Sequence, residues 1–226
     1  MKNSILIFFI FALSCNSSSV KEFKEQKNNK TNRLSTDNDI VDLYEIDKEI
    51  IKNPKSPNVY LKRALYYQKK RDFLSALEDI NRALSITPDI SFLKYHKAAI
   101  LYELAVHKQD ISLLDESKIY LDNCIEEDLE IIAPRLLRAK IFLFEKKTDQ
   151  AMKLVNDVLK INQIVAEAYL IKGMVYHFLG NNNLASSSYQ TALEVDPSYY
   201  DAYIHMGMIS ENSTNYNAID YYNSAI

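Results

Sequence analysis

Residues 166–199 read AEAYLIKGMVYHFLGNNNLASSSYQTALEVDPSY, and residues 57–90 read PNVYLKRALYYQKKRDFLSALEDINRALSITPDI. Laid in one frame, Tyr169 falls on Tyr60, Gly173 on Ala64 and Tyr176 on Tyr67. Further along, Gly180 falls on Arg71, Ala185 on Ala76, Tyr189 on Ile80, Ala192-Leu193 on Ala83-Leu84 and Pro197 on Pro88. A self-similar period of about 34 residues is the mark of a repeat architecture. Tyr60, Ala64 and Tyr67 stand at i, i+4 and i+7, which is one face of a helix. Ala76, Ile80 and Ala83 mark a second helix in the same way. Small residues at Ala64, Gly173, Ala76 and Ala185 let the paired helices approach closely, and the aromatics fill the space between. Each pair leaves an apolar flank that only the next pair can cover, so the units stack. The proline stops each second helix and turns the chain.

The order of large aromatic, small residue, aromatic, turn, Ala, large residue, Ala-Leu and Pro resembles the tetratricopeptide repeat (TPR) signature, with tyrosine in place of the usual tryptophan. The resemblance implies an all-α fold, a TPR-type α-solenoid of antiparallel helix pairs wound as a right-handed superhelix. Weaker copies extend it over residues 40–226. Residues 132–165 hold Ala139, Phe142, Ala151, Val155 and Val158 in register, with Arg135 at an aromatic place and Gln163 at the proline place. Residues 200–226 hold Tyr203, Gly207, Ala218, Tyr222 and Ala225, with one residue missing from the turn, as an incomplete repeat. Residues 91–131 form a looser, longer unit. Its helices are expected at Phe92–Leu104 and Leu114–Glu126, with an extended turn around His107–Ser112. Ser117, Leu121 and Cys124 take the small, large and small places. A lone helix is expected over 40–53, covering one end of the stack. At the other end, Ile219, Tyr222 and Ile226 present an apolar flank. It implies a missing continuation of the chain, a partner that covers it, including self-association through this flank, or fraying of these last residues.

Composition agrees with helices joined by short polar turns. The chain of 226 residues has three glycines, five prolines and an apolar share of 47%. So few glycines leave no phosphate-binding loop and few sheet turns. The net charge of −3 gives no electrostatic case for nucleic acid.

The first residues form an address. Lys2 precedes an apolar run from Ile5 to Leu13, far short of the roughly 20 residues that span a bilayer and suited to a signal-peptide core. Ala12-Leu13-Ser14-Cys15 resembles a bacterial lipobox. Ser14 and Cys15 fit it, and Ala12 and Leu13 depart from the commoner residues. The resemblance implies a lipoprotein signal peptide over 1–15 and lipidation of Cys15. Each buried methylene of the anchor contributes about 0.8 kcal/mol. The alternative is an ordinary secretory signal and a secreted or periplasmic protein. Residues 16–39 are polar and rich in Lys, Asn and Ser, too poor in apolar groups to offset their ordering entropy. They read as a flexible tether.

No catalytic constellation emerges. His96, His107, His177 and His205 lack metal-ligand spacing, Cys124 sits at a packing place, and no GxSxG elbow or P-loop occurs. No cofactor or metal is expected. In the family the first helices line a concave groove for a protein or peptide partner. Carried over place by place, the groove residues are Leu61, Leu65, Leu136, Leu170, Met174, His177, Ile204 and Met208. Family members that clamp a terminal carboxylate use Lys and Asn at such places. The aliphatic set here suits an apolar or amphipathic peptide instead. The same side chains could equally pack on neighbouring repeats. The expected function is a non-enzymatic, membrane-anchored adaptor of the bacterial envelope, at the outer membrane. The alternatives are a self-associating structural protein, or the N-terminal TPR region of a longer chain with an effector domain.

Overall fold

A computed structural model describes residues 42–128, 130–212 and 218–225. Cys15 and the tether at 16–39 lie outside the described residues, as does Ile226. The chain divides into a unit ending at Pro54 and a unit from Lys55 onward. In the first, residues 42–52 form helix α1. Lys48 pairs there with Glu45 at 3.0 Å and lies 4.2 Å from the centre of the Tyr44 ring.

The second unit is a run of ten helices among the described residues. They are α2 (Pro57–Lys69), α3 (Phe73–Ile86), α4 (Ser91–Lys108), α5 (Ser112–Glu127), α6 (Ala133–Phe144), α7 (Thr148–Ile161), α8 (Ala166–Phe178), α9 (Asn182–Val195), α10 (Tyr200–Asn212) and α11 (Ala218–Ser224). Each odd-numbered helix from α3 packs chiefly on the helix before it, and each pair packs on the next. None of the described helices is long and apolar enough to cross a membrane.

In the four pairs from α2 to α9 the residues read as small or large interior places are interior, while Ala218, Tyr222 and Ala225 of the last pair are only half-buried. Ala64, Ala76, Ile80, Ala83, Ala139, Ala151, Val155, Val158, Ala185, Tyr189 and Ala192 are fully buried, as are Ser117, Leu121 and Cys124. Ser117 Oγ donates to the carbonyl of Ala98 at 2.8 Å, so a hydroxyl sits in the core without an unmet bond. Asp79 is buried too. Its carboxylate accepts two bonds from the Arg63 guanidinium, at 2.7 and 2.8 Å, a fork that ties α3 to α2 with its charge matched.

Turns repeat as faithfully as helices. Arg71, Lys146 and Gly180 occupy the same place in three repeats, and all three have positive φ, at 61°, 61° and 78°. Glycine adopts this conformation freely, and the two side chains hold it at some strain. At the other connection, Asp128, Asn162 and Asp196 occupy one place. Each accepts a bond from the backbone N–H two residues on, at 2.9, 2.8 and 2.9 Å. These Asx turns end the second helices whether or not proline follows. That is why Gln163 can stand at the proline place.

The unit over 91–131 differs from its sequence reading. The extra residues do not enlarge a turn around His107–Ser112. They lengthen the helices, α4 running to Lys108 and α5 starting at Ser112. The helix ends where Gln109 turns left-handed, at φ 57°. His107 thus belongs to the last turn of α4, 5.8 Å from the Phe73 ring centre. In the last pair, Ile219 is 70% exposed, while Tyr222 is half-buried against Gly207.

Candidate functional site

The two layers of helices are not equally spaced. Helices α4, α6, α8 and α10 touch one another in succession, while the second helices α3, α5, α7 and α9 make no comparable contacts among themselves. The layer of first helices is therefore the inner, concave one. Its side chains form the candidate binding surface.

Spacing decides which residues remain available there. Leu61, Leu136 and Leu170 are buried, at 8%, 2% and 3% exposure, so they line no open groove. Leu136 packs with Ala168 and Ile171 of the following first helix. Leu170 packs likewise with Ala202 and Met206. The close approach of successive first helices covers this place. Ile204, with no described first helix beyond it, stays half-buried. One turn further along, the side chains do reach the surface. Leu65 is 37% exposed, and Met174 and Met208 are half-buried. Met174 touches both adjoining core clusters, so it bridges the groove wall between repeats. His177 is half-buried, with Nδ1 3.1 Å from Asn182 Oδ1.

The middle of this surface is not aliphatic. Tyr95 and Tyr102 are two turns apart on one face of α4, at the places held by Leu61 and Gln68 in the first repeat. Gln68 Nε2 donates to Glu103 Oε1 at 2.8 Å, joining α2 to α4. Lys140 Nζ pairs with Glu167 Oε1 at 2.5 Å, joining α6 to α8. Glu103 and Glu167 leave their mark on the tyrosines. The Tyr102 hydroxyl is pushed up to about 12, first by desolvation and then by Glu103 and Glu167. Tyr95 is raised by desolvation, then Glu167 and Glu103. Tyr199, in the connection before α10, is raised by desolvation, then Glu167, Asp201 and Asp196. The aliphatic row predicted from register thus frames an aromatic and acidic centre. Its members went unread because the unit over 91–131 was not aligned on Ala98, which falls one repeat after Ala64 and fixes Tyr95 and Tyr102.

The remaining titratable groups are packing groups. His205 stacks on Tyr189, with ring centres 5.2 Å apart, and burial pushes it down to about 4. His96 meets Phe92 and Tyr95 edge-on, and burial lowers it as well. Cys124 is a buried thiol, raised by desolvation first. Among the described residues, no group of three or more His, Cys, Asp or Glu side chains could hold a metal ion.

Comparison with known proteins agrees with this geometry. The family model described as "Tetratricopeptide repeat" matches residues 57–90 and 166–199, the two stretches whose alignment set the frame. The chain is 27% identical over 150 residues to a DnaJ homolog subfamily C member 7 homolog of Schizosaccharomyces pombe, covering 61% of this chain and 31% of that protein. It is 25% identical over 184 residues to TPR repeat-containing protein MJ1428 of Methanocaldococcus jannaschii, covering 77% and 32%. The chain therefore spans about a third of the length of these curated relatives. Among solved structures it resembles TTC0263, a thermophilic TPR protein of Thermus thermophilus. The TM-score is 0.66 at 16% identity, over 79% of this chain and 94% of that one. Two tetratricopeptide repeats therefore stand at residues 57–90 and 166–199, and the helix pairs between and after them continue in the same register.

Proposed function

We propose that the chain is a lipid-anchored adaptor of the bacterial envelope, held at the outer membrane through Cys15. It captures a protein partner by a peptide laid along its first helices. The observation that carries the binding half is the row of Leu65, Met174 and Met208. These apolar side chains share one register place on the inner layer and are left partly in water. Methionine adapts its shape to a partner at little strain, and an extended or helical peptide fits such a row. The reading is one of binding, not catalysis.

Replacing Leu65 and Met174 together by glutamate tests it. Both side chains are partly exposed, so circular dichroism of Leu65→Glu/Met174→Glu should match wild type, while a cross-linked capture from native membranes should lose the partner. Equal capture by both proteins would move the binding surface off this face. The anchoring half has its own test. Cys15→Ser removes the acylated sulfur, and the protein should move from the membrane fraction to the soluble one on fractionation. A variant still sedimenting with membranes would sink the anchor. Self-association is the rival reading, favoured by the exposure of Ile219. A mass in light scattering that stays monomeric at every concentration would remove it.

A further inference from the structure

We propose that the turns within the repeats, α2–α3, α4–α5 and α6–α7, form one edge that docks on an anionic lipid bilayer. The three turns are joined in space. Gln68, near the end of α2, donates to Glu103 of α4 at 2.8 Å. The Phe73 ring, at the start of α3, has its centre 5.8 Å from that of His107 in the last turn of α4. Lys118 of α5 reaches Glu145, just past α6, at 2.7 Å. The C-terminal ends of α2, α4 and α6 therefore meet the N-terminal ends of α3, α5 and α7 along this edge. Their macrodipoles oppose one another there, so side chains set its charge.

Those side chains are basic where they meet water. Lys69, Lys70, Arg71, Lys108, Lys146 and Lys147 are all exposed. The carboxylates of the same turns are fewer, and most are drawn into the turns. Asp72 accepts from the backbone N–H and hydroxyl of Ser75, Asp110 from those of Ser112, and Glu145 from Lys118 and Lys147. Asp149 alone among them stands exposed without such a bond. The connections between repeats, at the opposite edge, carry the other sign. Asp89, Glu126, Glu127, Asp128, Glu130 and Glu194 are exposed there. The net charge of −3 therefore conceals a molecule with one basic and one acidic edge, and an anionic surface attracts the first and repels the second. Leu74 and Ile111 stand among the cations, 63% and 61% exposed. Aliphatic groups beside lysines suit the headgroup boundary of a bilayer, where the cation reaches phosphate and the apolar group leaves water. Nucleic acid calls for stacking aromatics instead, and Phe73 of this edge is buried. The proposal needs neither the anchor nor the groove. Seated this way, the first helices stand on the bilayer by their C-terminal ends.

A nitrobenzoxadiazole label reads the contact in the full chain carrying Cys15→Ser, placed on Leu74→Cys in one protein and on Glu126→Cys in another. Cys124 is buried and takes no label. Vesicles of phosphatidylglycerol and phosphatidylcholine in equal parts should shift the emission at position 74 to the blue and leave position 126 unchanged. The apolar run from Ile5 to Leu13 is common to both proteins, so only the edge separates them. Lys69→Gln/Lys70→Gln should lower the affinity for these vesicles by about twentyfold, at about fivefold per charge, with the circular dichroism of wild type. Raised salt should weaken binding in the same direction. No shift at position 74, an equal shift at both positions, an equal response to vesicles of phosphatidylcholine alone, or an affinity unchanged in the double variant would each overturn the proposal. A shift with polyglutamate and none with vesicles would assign the edge to an acidic protein and overturn it too.

Discussion

Gly173→Ala lowers the stability of the repeat array by about 1–3 kcal/mol, although alanine is the better helix former. A Cβ at Gly173 would stand within 3.0 Å of three atoms of the Tyr189 ring. That ring is fully buried and stacked on His205, so it has nowhere to swing. Overpacking of this kind outweighs a helix-propensity gain of at most about 1 kcal/mol. The other repeats show how the chain avoids the clash. Where the small place is Ala64, Ala98 or Ala139, the partner place holds Ile80, Leu121 or Val155. Where it is Gly173 or Gly207, the partner is Tyr189 or Tyr222. A Cβ at Gly207 would likewise lie 2.5 to 2.9 Å from the Tyr222 ring. The small and large places are thus fitted to each other within each repeat. The double variant Gly173→Ala/Tyr189→Leu restores the pairing that the other repeats use. Its loss of stability should be smaller than the two single losses combined, by about 1 kcal/mol or more. Urea unfolding of the four proteins measures this, and strictly additive losses would break the pairing argument.

The same pairing shows what was legible in the sequence. The interior of the four pairs from α2 to α9 follows from spacing, because places four and seven residues apart must share a helix face wherever the helix goes. Gly173 with Tyr189 could be read as a fitted pair before any coordinates. The groove was less legible. Leu136 and Leu170 stand on the inner face by register, yet they are buried. Their burial is set by how closely one first helix approaches the next, and no single repeat encodes that distance. Conversely, Tyr95, Tyr102 and Glu103 were available to register once α4 was framed on Ala98. The polar run from His107 to Ser112 drew attention to a turn instead. The apolar period in fact continues past the expected end at Leu104 to Ala105, which is buried as well. That continuity was the signal that the helix ran on. The position of Asp128, Asn162 and Asp196 was a second readable signal, since an Asx turn ends a helix as surely as the proline one place later. Glu167 with Lys140 could not be read, because the two lie on separate first helices and meet only through stacking.

Acid should loosen the α9–α10 seam well before the carboxylates titrate. An imidazole in the unfolded chain takes its proton near pH 6.5. In the folded protein His205 holds out to about 4. Burial is the main cause, and nearby His177 adds to it, while Asp201 opposes it. Between those two values the unfolded chain binds one more proton than the folded one, so lowering the pH favours unfolding. The contribution of His205 is fully present above about pH 6.5, is lost progressively as the pH falls through the window, and levels off below about 4. Over the whole window the loss comes to about 3 kcal/mol. The stacked Tyr189 cannot relieve it, because its own hydroxyl is buried without a hydrogen-bond partner and its ionised form is disfavoured by desolvation. His96, also lowered by burial, adds a loss of the same sign, so wild type alone cannot isolate His205. The comparison with His205→Phe can. Phenylalanine keeps an aromatic ring against Tyr189 and has no proton to take up. The difference in urea-unfolding free energy between the two proteins should change by about 3 kcal/mol from pH 7 to pH 4, with wild type losing more. Carboxylates and His96 cancel in that difference. Parallel pH profiles for the two proteins would show that His205 takes its proton in the folded state as readily as in the unfolded one. The seam beside Tyr189 would then be open to water and not the packed joint that the stack on Gly173 requires.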